Sequence, residues 1–332
     1  MKLIIPMAGR GTRVRPHSHV TPKPLLPVKG NSMIGRIVDT FARIMPTNID
    51  ESVFVLGPDF GDSVRKQLTE VCEARGIKAS FAVQEVALGT GHAVFSAEQY
   101  MDGDGIVAFA DALFDFDEAP DVSDADVVAF VKFVDDPSAY GVAVREGEQI
   151  VAFVEKPDEP ISNEALIGIY YVKDLGVLRS KLQYIIDENI TGKGDEYQLT
   201  DAMDLMLKDG MVFKTAQASE WMDCGTIPAL LDTTQAILTK ESDSLRHGTV
   251  ENSVIHEPVY IGPGAVVKNA VVGPNVSMEA GASIENAVVQ GSILFADAQV
   301  KDAVLNGTLV GRNATVTGQA LRANIGDHST IG

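Results

Sequence analysis

Cysteine is almost missing from this chain: Cys72 and Cys224 are the only two among 332 residues. Two isolated thiols exclude a disulfide framework and a cysteine-built metal cluster, which leaves a pair of plain core residues. Basic side chains are also short, 27 Lys and Arg against 46 Asp and Glu, for a formal net charge of −19. A polynucleotide ligand needs a basic face, so this balance argues against DNA or RNA as a partner. No apolar stretch reaches the roughly eighteen residues that cross a bilayer, so no membrane is expected. The chain opens on a strand-like run, without a charged and apolar leader pattern, and cytoplasm is the expected location. With 45% apolar residues there is material for ordinary cores, in two domains or one large one. The acid excess predicts a high-salt milieu, where screening removes self-repulsion. A melting temperature that stays constant from low to molar salt would refute that expectation.

What is present begins with the first thirty residues. Lys2 to Met7 is a short apolar run of the buried-strand kind. Ala8-Gly9-Arg10-Gly11-Thr12-Arg13 follows, small enough for backbone N–H groups to approach a phosphate closely. Gly9-x-Gly11 by itself is equally a common tight turn. Arg13 lies beside the glycines, however, and Lys23 stands between Pro22 and Pro24. In so negative a body, an anionic nucleotide needs such local cations, with Mg²⁺, to offset the repulsion.

Residues 1 to about 240 alternate strand-like and helix-like patterns, which predicts an α/β fold with a parallel-rich sheet. Helices are expected over 33–45 and 61–75, and strands over 52–56 and 78–84. This rhythm puts a ligand at the carboxyl ends of the strands. At 84–93 a strand end meets a glycine turn and a helix start. The Gln84 amide suits a base edge and Gly89 permits close approach to a ring, while Thr90 suits a helix N-cap. Residues 106–110 form a buried-strand run ending in Asp111, a carboxylate suited to Mg²⁺ with water and phosphate oxygens. Short strands at 127–131, 140–144 and 150–154 predict a meander beside the nucleotide half. A strand at 165–172 and helices over 174–187, 196–207 and 227–239 complete this part.

Residues 241–250 are polar and read as a linker. Beyond it Glu251-Asn252-Ser253-Val254-Ile255 recurs as Lys268-Asn269-Ala270-Val271-Val272, then from Glu285 and from Lys301. Steps of 17, 17 and 16 residues, with apolar residues every five or six, define a hexapeptide-type β-helix whose coils bury their corners only by stacking.

Residues 3 to 28 resemble the signature of the sugar-1-phosphate nucleotidyltransferases, roughly G-G-x-G-T-R-x-x-P followed by x-P-K-P-L-L-P-V. Gly9, Gly11, Thr12, Arg13, Pro16, Pro22, Lys23, Pro24 and Pro27 match it, and Ala8 replaces the first glycine. Leu88-Gly89-Thr90-Gly91-His92-Ala93 looks like the base-binding segment of the uridylyltransferase branch, and Trp221-Met222-Asp223-Cys224-Gly225-Thr226 looks like the family's W-x-D-x-G-T.

The resemblance implies a Rossmann-like mixed-sheet nucleotidyltransferase domain at 1–240, the linker, and a left-handed β-helix at 251–332. It implies that Ala8, Gly9, Gly11, Thr12, Gln84, Gly89 and Thr90 bind the nucleotide. Arg13, Lys23 and Lys156 would handle the phosphates, with Asp111 and Asp223 on Mg²⁺. Tyr140, Gly141, Glu155, Gly168, Tyr170 and Glu196 would face the sugar. The implied substrates are an NTP, UTP or dTTP favoured, and a glucose 1-phosphate-like acceptor, in a homo-oligomer formed through the β-helix. Two alternatives are a catalytically silent regulatory subunit and a bifunctional enzyme with an acetyltransferase tail. The β-helix segment holds only His256 and His328, neither with an evident partner for acyl transfer.

Overall fold

The computed structural model describes every residue except Arg10, Asp158, Pro160, Lys193, 242–246, 319–323 and Gly332. Much of the expected linker therefore lies outside the described residues. The chain divides into two compact units, one of Met1–Gly9 with Ile37–Trp221, the other of Arg10–Arg36 with Met222–Gly332. Helix α1, Met33–Ile44, runs across that division.

The first unit is built on nine strands: β1 (Lys2–Pro6), β2 (Glu51–Leu56), β3 (Lys78–Val83), β4 (Gly105–Ala108), β5 (Val127–Phe133), β6 (Gly141–Glu146), β7 (Gln149–Glu155), β8 (Glu164–Val172) and β9 (Phe213–Gln217). Their order across the sheet is β3-β2-β1-β4-β8-β5-β9-β7-β6. β1, β2, β3 and β4 run parallel; the near-continuous apolar sequences of β1, β2 and β4 reflect burial on both faces, whereas β3, at the sheet edge, alternates buried and half-buried positions. β8 then turns the sheet antiparallel against β4 and β5. Helices α2 (Asp62–Glu73), α3 (Thr90–Phe95), α4 (Leu175–Asp187) and α5 (Leu199–Lys208) complete the unit. Leu178 and Leu182 of α4 and Met203 and Met206 of α5 share one buried cluster with Ile4 of β1, Val107 of β4, and Ala129 and Val131 of β5.

Three expectations change. The strands at 127–154 are not a separate meander: β6 and β7 form a hairpin at the sheet edge, while β5 is an interior strand between β8 and β9. Val127 to Val131 are all buried, as an interior strand requires, whereas β7 alternates exposed and covered positions. The helix expected from Glu196 starts only at Leu199. Tyr197 stays outside the helix, its N–H donating to the Leu88 carbonyl and its carbonyl accepting from Gly91 N–H. The strand expected over 106–110 ends at Ala108, beside an irregularity in β8 between Leu166 and Ile169 where Gly168 adopts φ +75°.

The second unit holds 3₁₀ turns at Thr12–Val14 and Lys23–Leu25, a two-stranded pair of Pro27–Val28 with Asn31–Ser32, and helix α6, Ile227–Lys240. Its remainder is a three-sided parallel β-helix with sheets of six, four and five strands among the described residues. The first of these strands, Thr249–Glu251, begins within the stretch read as linker, 241–250. Val267, Ile284, Val300 and Val316 stack in register inside. The recurring Asn of the sequence repeat has a geometric cause. Asn252, Asn269, Asn286 and Asp302 all take positive φ at the coil corners, a conformation Asn and Asp tolerate best after Gly. Their side chains bond in a ladder, Asn252 to Asn269 at 2.7 Å and Asn286 to Asp302 at 3.1 Å. No helix among the described residues is long and apolar enough to cross a membrane.

Candidate active site

In the first unit the chain leaves β1 for β2 on one side and later places β4 on the other. The strand order thus reverses at β1, and α/β ligands bind in the crevice beyond such a switch point. Ala8 and Gly9 lie there. Ala8 has no positive φ, so its methyl group is tolerated where the signature has glycine. Room comes from Gly57, after β2: a Cβ there would stand 3.2 Å from the Ala8 carbonyl oxygen. Among the described residues outside its chain neighbours, nothing lies within 4 Å of a Cβ placed on Gly9. Gly57 was not singled out from sequence, although a glycine directly after an apolar strand run is the signal.

After β3, Gln84 is buried, and its amide N–H₂ faces His92 Nδ1 at 3.1 Å and the Gly89 carbonyl at 3.4 Å. Its donor end is therefore engaged within the turn rather than turned outward to a base. Burial holds the His92 imidazole below its ordinary pKa. Gly89, at φ +116°, is the backbone N-cap of α3, and a side chain there would run into Glu196 and Tyr197. Thr90 caps a different helix from the one expected. Its hydroxyl accepts from Leu199 N–H at 3.0 Å, the first residue of α5, and donates to Gln198 Oε1 at 2.9 Å. Asp111 is exposed in the turn after β4.

The hairpin β6–β7 brings several expected sugar contacts together. Gly141 opposes Glu155, and a Cβ on Gly141 would stand 2.8 Å from Glu155 Oε2, so only glycine leaves the carboxylate its place. Lys156 sits at φ +46°, a strained backbone for a lysine, with its N–H on the Tyr140 carbonyl at 3.0 Å. Its ammonium is 3.7 Å from Glu155 Oε1. The Tyr140 ring packs edge-on to Trp221 at 5.0 Å, and the Trp221 indole N–H is buried without a hydrogen-bond partner among the described residues. Tyr170 departs from expectation: it is 4% exposed and belongs to the core cluster. Burial, with the nearby Glu155 charge, raises its phenol pKa. Gly168 packs against Phe109 and Glu196 is exposed, accepting from Gln198 at 3.2 Å. Asp195, directly before Glu196, is held at φ +56°.

In the second unit Gly11 takes φ +56°, a Cβ on it would crowd Lys23 Cβ at 3.0 Å, and its carbonyl accepts from Ser18 Oγ at 2.6 Å. Thr12 and Arg13 follow on an exposed 3₁₀ turn anchored by buried Val14. Lys23 is 7% exposed, on the turn that starts after Pro22. Asp223 Oδ1 accepts from Gly225 N–H at 2.7 Å, and the Asp223 carbonyl accepts from Thr233 of α6 at 2.7 Å. A Cβ on Gly225 would stand 2.8 Å from Asp223 Oδ1 and 3.1 Å from Arg13 Nη2. The guanidinium and the carboxylate, 210 residues apart in sequence, thus converge on one glycine. A cation and an acid side by side can grip a phosphate and a phosphate-bound cation together. Among the described residues no three potential metal ligands form a group.

Comparison with known proteins bears on this geometry. A family model described as nucleotidyl transferase matches residues 2–240, and one for the GlmU-like C-terminal hexapeptide matches 232–323. The chain is 28% identical over 271 residues to a bifunctional protein GlmU of Methanococcus aeolicus, covering 81% of this chain and 62% of that protein. It thus spans about three fifths of that relative's length. The low-salt glycan biosynthesis nucleotidyltransferase Agl11 of Haloferax volcanii is 26% identical over 260 residues, 76% of this chain and 70% of that one. Among solved structures, a Bacillus anthracis protein described as a glucose-1-phosphate thymidylyltransferase superposes with TM-score 0.59 at 27% identity, covering 71% of this chain and 94% of its own. A UDP-glucose pyrophosphorylase shares the fold at TM-score 0.57 and 23% identity, over 72% of this chain and 98% of that one.

Proposed function

The chain belongs to the nucleotidyl transferase family, and from that premise we propose that it transfers a nucleoside monophosphate from an NTP to a sugar 1-phosphate. A phosphate oxygen of the sugar attacks the α-phosphorus in line, a new P–O bond forms, and the bond to pyrophosphate breaks. No protein nucleophile is needed, so the residues contribute position and charge. The single observation that carries the reading is the convergence of Arg13 and Asp223 on Gly225.

In this reading Arg13 grips the departing pyrophosphate and Lys23 the α-phosphate. Lys156, on its strained turn, orients the incoming phosphate, while Glu155 and Tyr140 meet sugar hydroxyls and Gly141 makes room for Glu155. Gly9, Gly11 and Thr12 offer backbone to phosphate, and Gln84 with Gly89 and Thr90 shapes the base pocket. Asp111 and Asp223 are the carboxylates for Mg²⁺, which when bound neutralises phosphate charge. Tyr170 contributes through Glu155 and Glu196 from the rim. UTP or dTTP with a glucose 1-phosphate-like acceptor is the favoured pair, supported by the resemblance at 88–93 and by the thymidylyltransferase description of the similar structure.

The boundaries proposed are a catalytic domain at 1–240 and a β-helix from about 251. An exposed valine ridge on one β-helix face, Val254, Val288 and Val304, supports association with a second copy of the chain. Pyrophosphate release tests the reading, with UTP, dTTP, GTP, CTP and ATP each offered several sugar 1-phosphates. The expected result is turnover with a pyrimidine nucleotide; NTP binding without pyrophosphate from any pair would instead mark a silent binding subunit. Acetyl-CoA consumption, followed in parallel, separates a bifunctional enzyme.

A further inference from the structure

Resting on the reading that Arg13 and Lys23 grip the NTP, we infer that Glu279 of the β-helix is a positioning residue for the nucleotide, because it fixes the segment that carries both cations. That segment, Arg10–Arg36, clusters with the β-helix rather than with the nine-stranded sheet. Its own regular structure up to α1 is two short 3₁₀ turns and a pair of two-residue strands. So little internal bonding leaves its shape to what it packs against.

One column of the β-helix does that packing. Ile261, Met278, Leu294, Val310 and Ile325 stack in register, and the residues that directly follow them are Gly262, Glu279, Phe295, Gly311 and Gly326. Three of these five meet the Arg10–Arg36 segment. Glu279 Oε1 accepts from Gly30 N–H at 3.1 Å, the Phe295 ring lies 5.2 Å from the buried His17 ring, and a Cβ on Gly326 would touch Pro16 at 3.1 Å. The two large departures from glycine in this column are thus both used on the same segment. Nothing in coil stacking calls for a carboxylate there, since Gly262 and Gly311 serve equivalent positions.

The site around Glu279 is built. The side chain is 8% exposed, and the same Oε1 also accepts from buried Ser277 Oγ at 3.0 Å. Gly30 takes φ +75°, and a Cβ on it would overlap the Tyr260 hydroxyl, so the hairpin fits beneath Tyr260 only as glycine. Across the hairpin, Arg36 and Lys29 both pair with Glu241, at 2.6 Å and 3.1 Å. An acceptor lost at Glu279 strands a Gly30 N–H in a covered place and frees one anchor of the segment.

The test is steady-state kinetics of the full chain. Glu279→Leu is expected to raise KM for the NTP about tenfold, the scale of one buried hydrogen bond, with kcat and the sugar 1-phosphate KM within about twofold of wild type. Glu279→Gln keeps an oxygen acceptor and is expected to restore the wild-type NTP KM. Gly30→Ala, a second variant, is expected to repeat the NTP-selective loss. An unchanged NTP KM in Glu279→Leu and Gly30→Ala, or equal rises for both substrates, overturns the inference. If the wild type itself releases no pyrophosphate, the functional reading fails instead. Hydrogen exchange along residues 10–36 then decides the positioning role: faster exchange in Glu279→Leu supports it, and identical exchange overturns it.

Discussion

The nine-stranded sheet and the β-helix use strands to opposite ends. In the sheet the interior parallel strands are apolar runs, and the residues proposed for the chemistry stand beyond strand ends: Ala8 and Gly9 after β1, Gln84 after β3, Asp111 after β4. In the β-helix the strands and corners repeat coil after coil, and individuality lies in departures from the repeat, as at Glu279 and Phe295. The first arrangement makes function depend on where a chain leaves a sheet. The second makes function depend on which coil breaks the pattern.

The contrast can be broken by substituting each kind of residue. Arg13→Ala removes a singular cation and is expected to lower kcat/KM by about 10²- to 10³-fold, the scale of one lost charge-stabilising group, with the melting temperature unchanged. A pyrophosphate-release assay beside a thermal melt reads both quantities. Ile284→Ala removes a repeated residue, 1% exposed between Val267 and Val300, and is expected to cost about 2–5 kcal/mol. Its mark is a lowered unfolding midpoint in denaturant, with kcat retained in the fraction that remains folded.

His17 sharpens the comparison at its boundary. It is fully buried against Phe295 with neither ring nitrogen bonded among the described residues, and burial lowers its pKa to about 4, partly opposed by Asp327. The unfolded chain takes up this proton below about pH 6.5, while the folded chain stays neutral until about pH 4. Its contribution is therefore complete above pH 6.5 and erodes as pH falls toward 4, by roughly 3 kcal/mol at most. Denaturant titrations over that range should show a slope that His17→Leu flattens; the same slope in the variant would assign it elsewhere. The smallest effect is expected from Thr90→Ala, about 1 kcal/mol, because the hydroxyl caps α5. Equal stability of variant and wild type would mean that water replaces it at Leu199.

Much of this was readable beforehand because it is local or periodic. The strand-helix alternation, the class of fold and the coil repeat all follow from spacing, and the repeat even marks the left-handed corners through Asn252, Asn269 and Asn286. Longer-range facts were not readable. Apolar residues at 127–131 fit an edge meander or an interior strand equally well, and only the neighbours β8 and β9 decide. Glu196 continues an amphipathic pattern, yet the backbone of Tyr197 is taken by Leu88 and Gly91, more than a hundred residues earlier. Tyr170 carries a hydroxyl that suits a sugar, but strand alternation turns its ring into the core. Glu279 carries no local signal except that it stands where other coils place glycine.

The coils also have something like a reading frame. Register advances by 17 residues from Val254 to Val271 and again to Val288, then by 16 to Val304. The missing residue falls at the corner between Val288–Gln290 and Ile293–Leu294, outside any strand, so inward and outward positions stay in phase on either side. Whole coils are therefore units that insertion or duplication can add without error. A single-residue deletion within a strand is a local frameshift, exchanging inward and outward positions from there to the next corner.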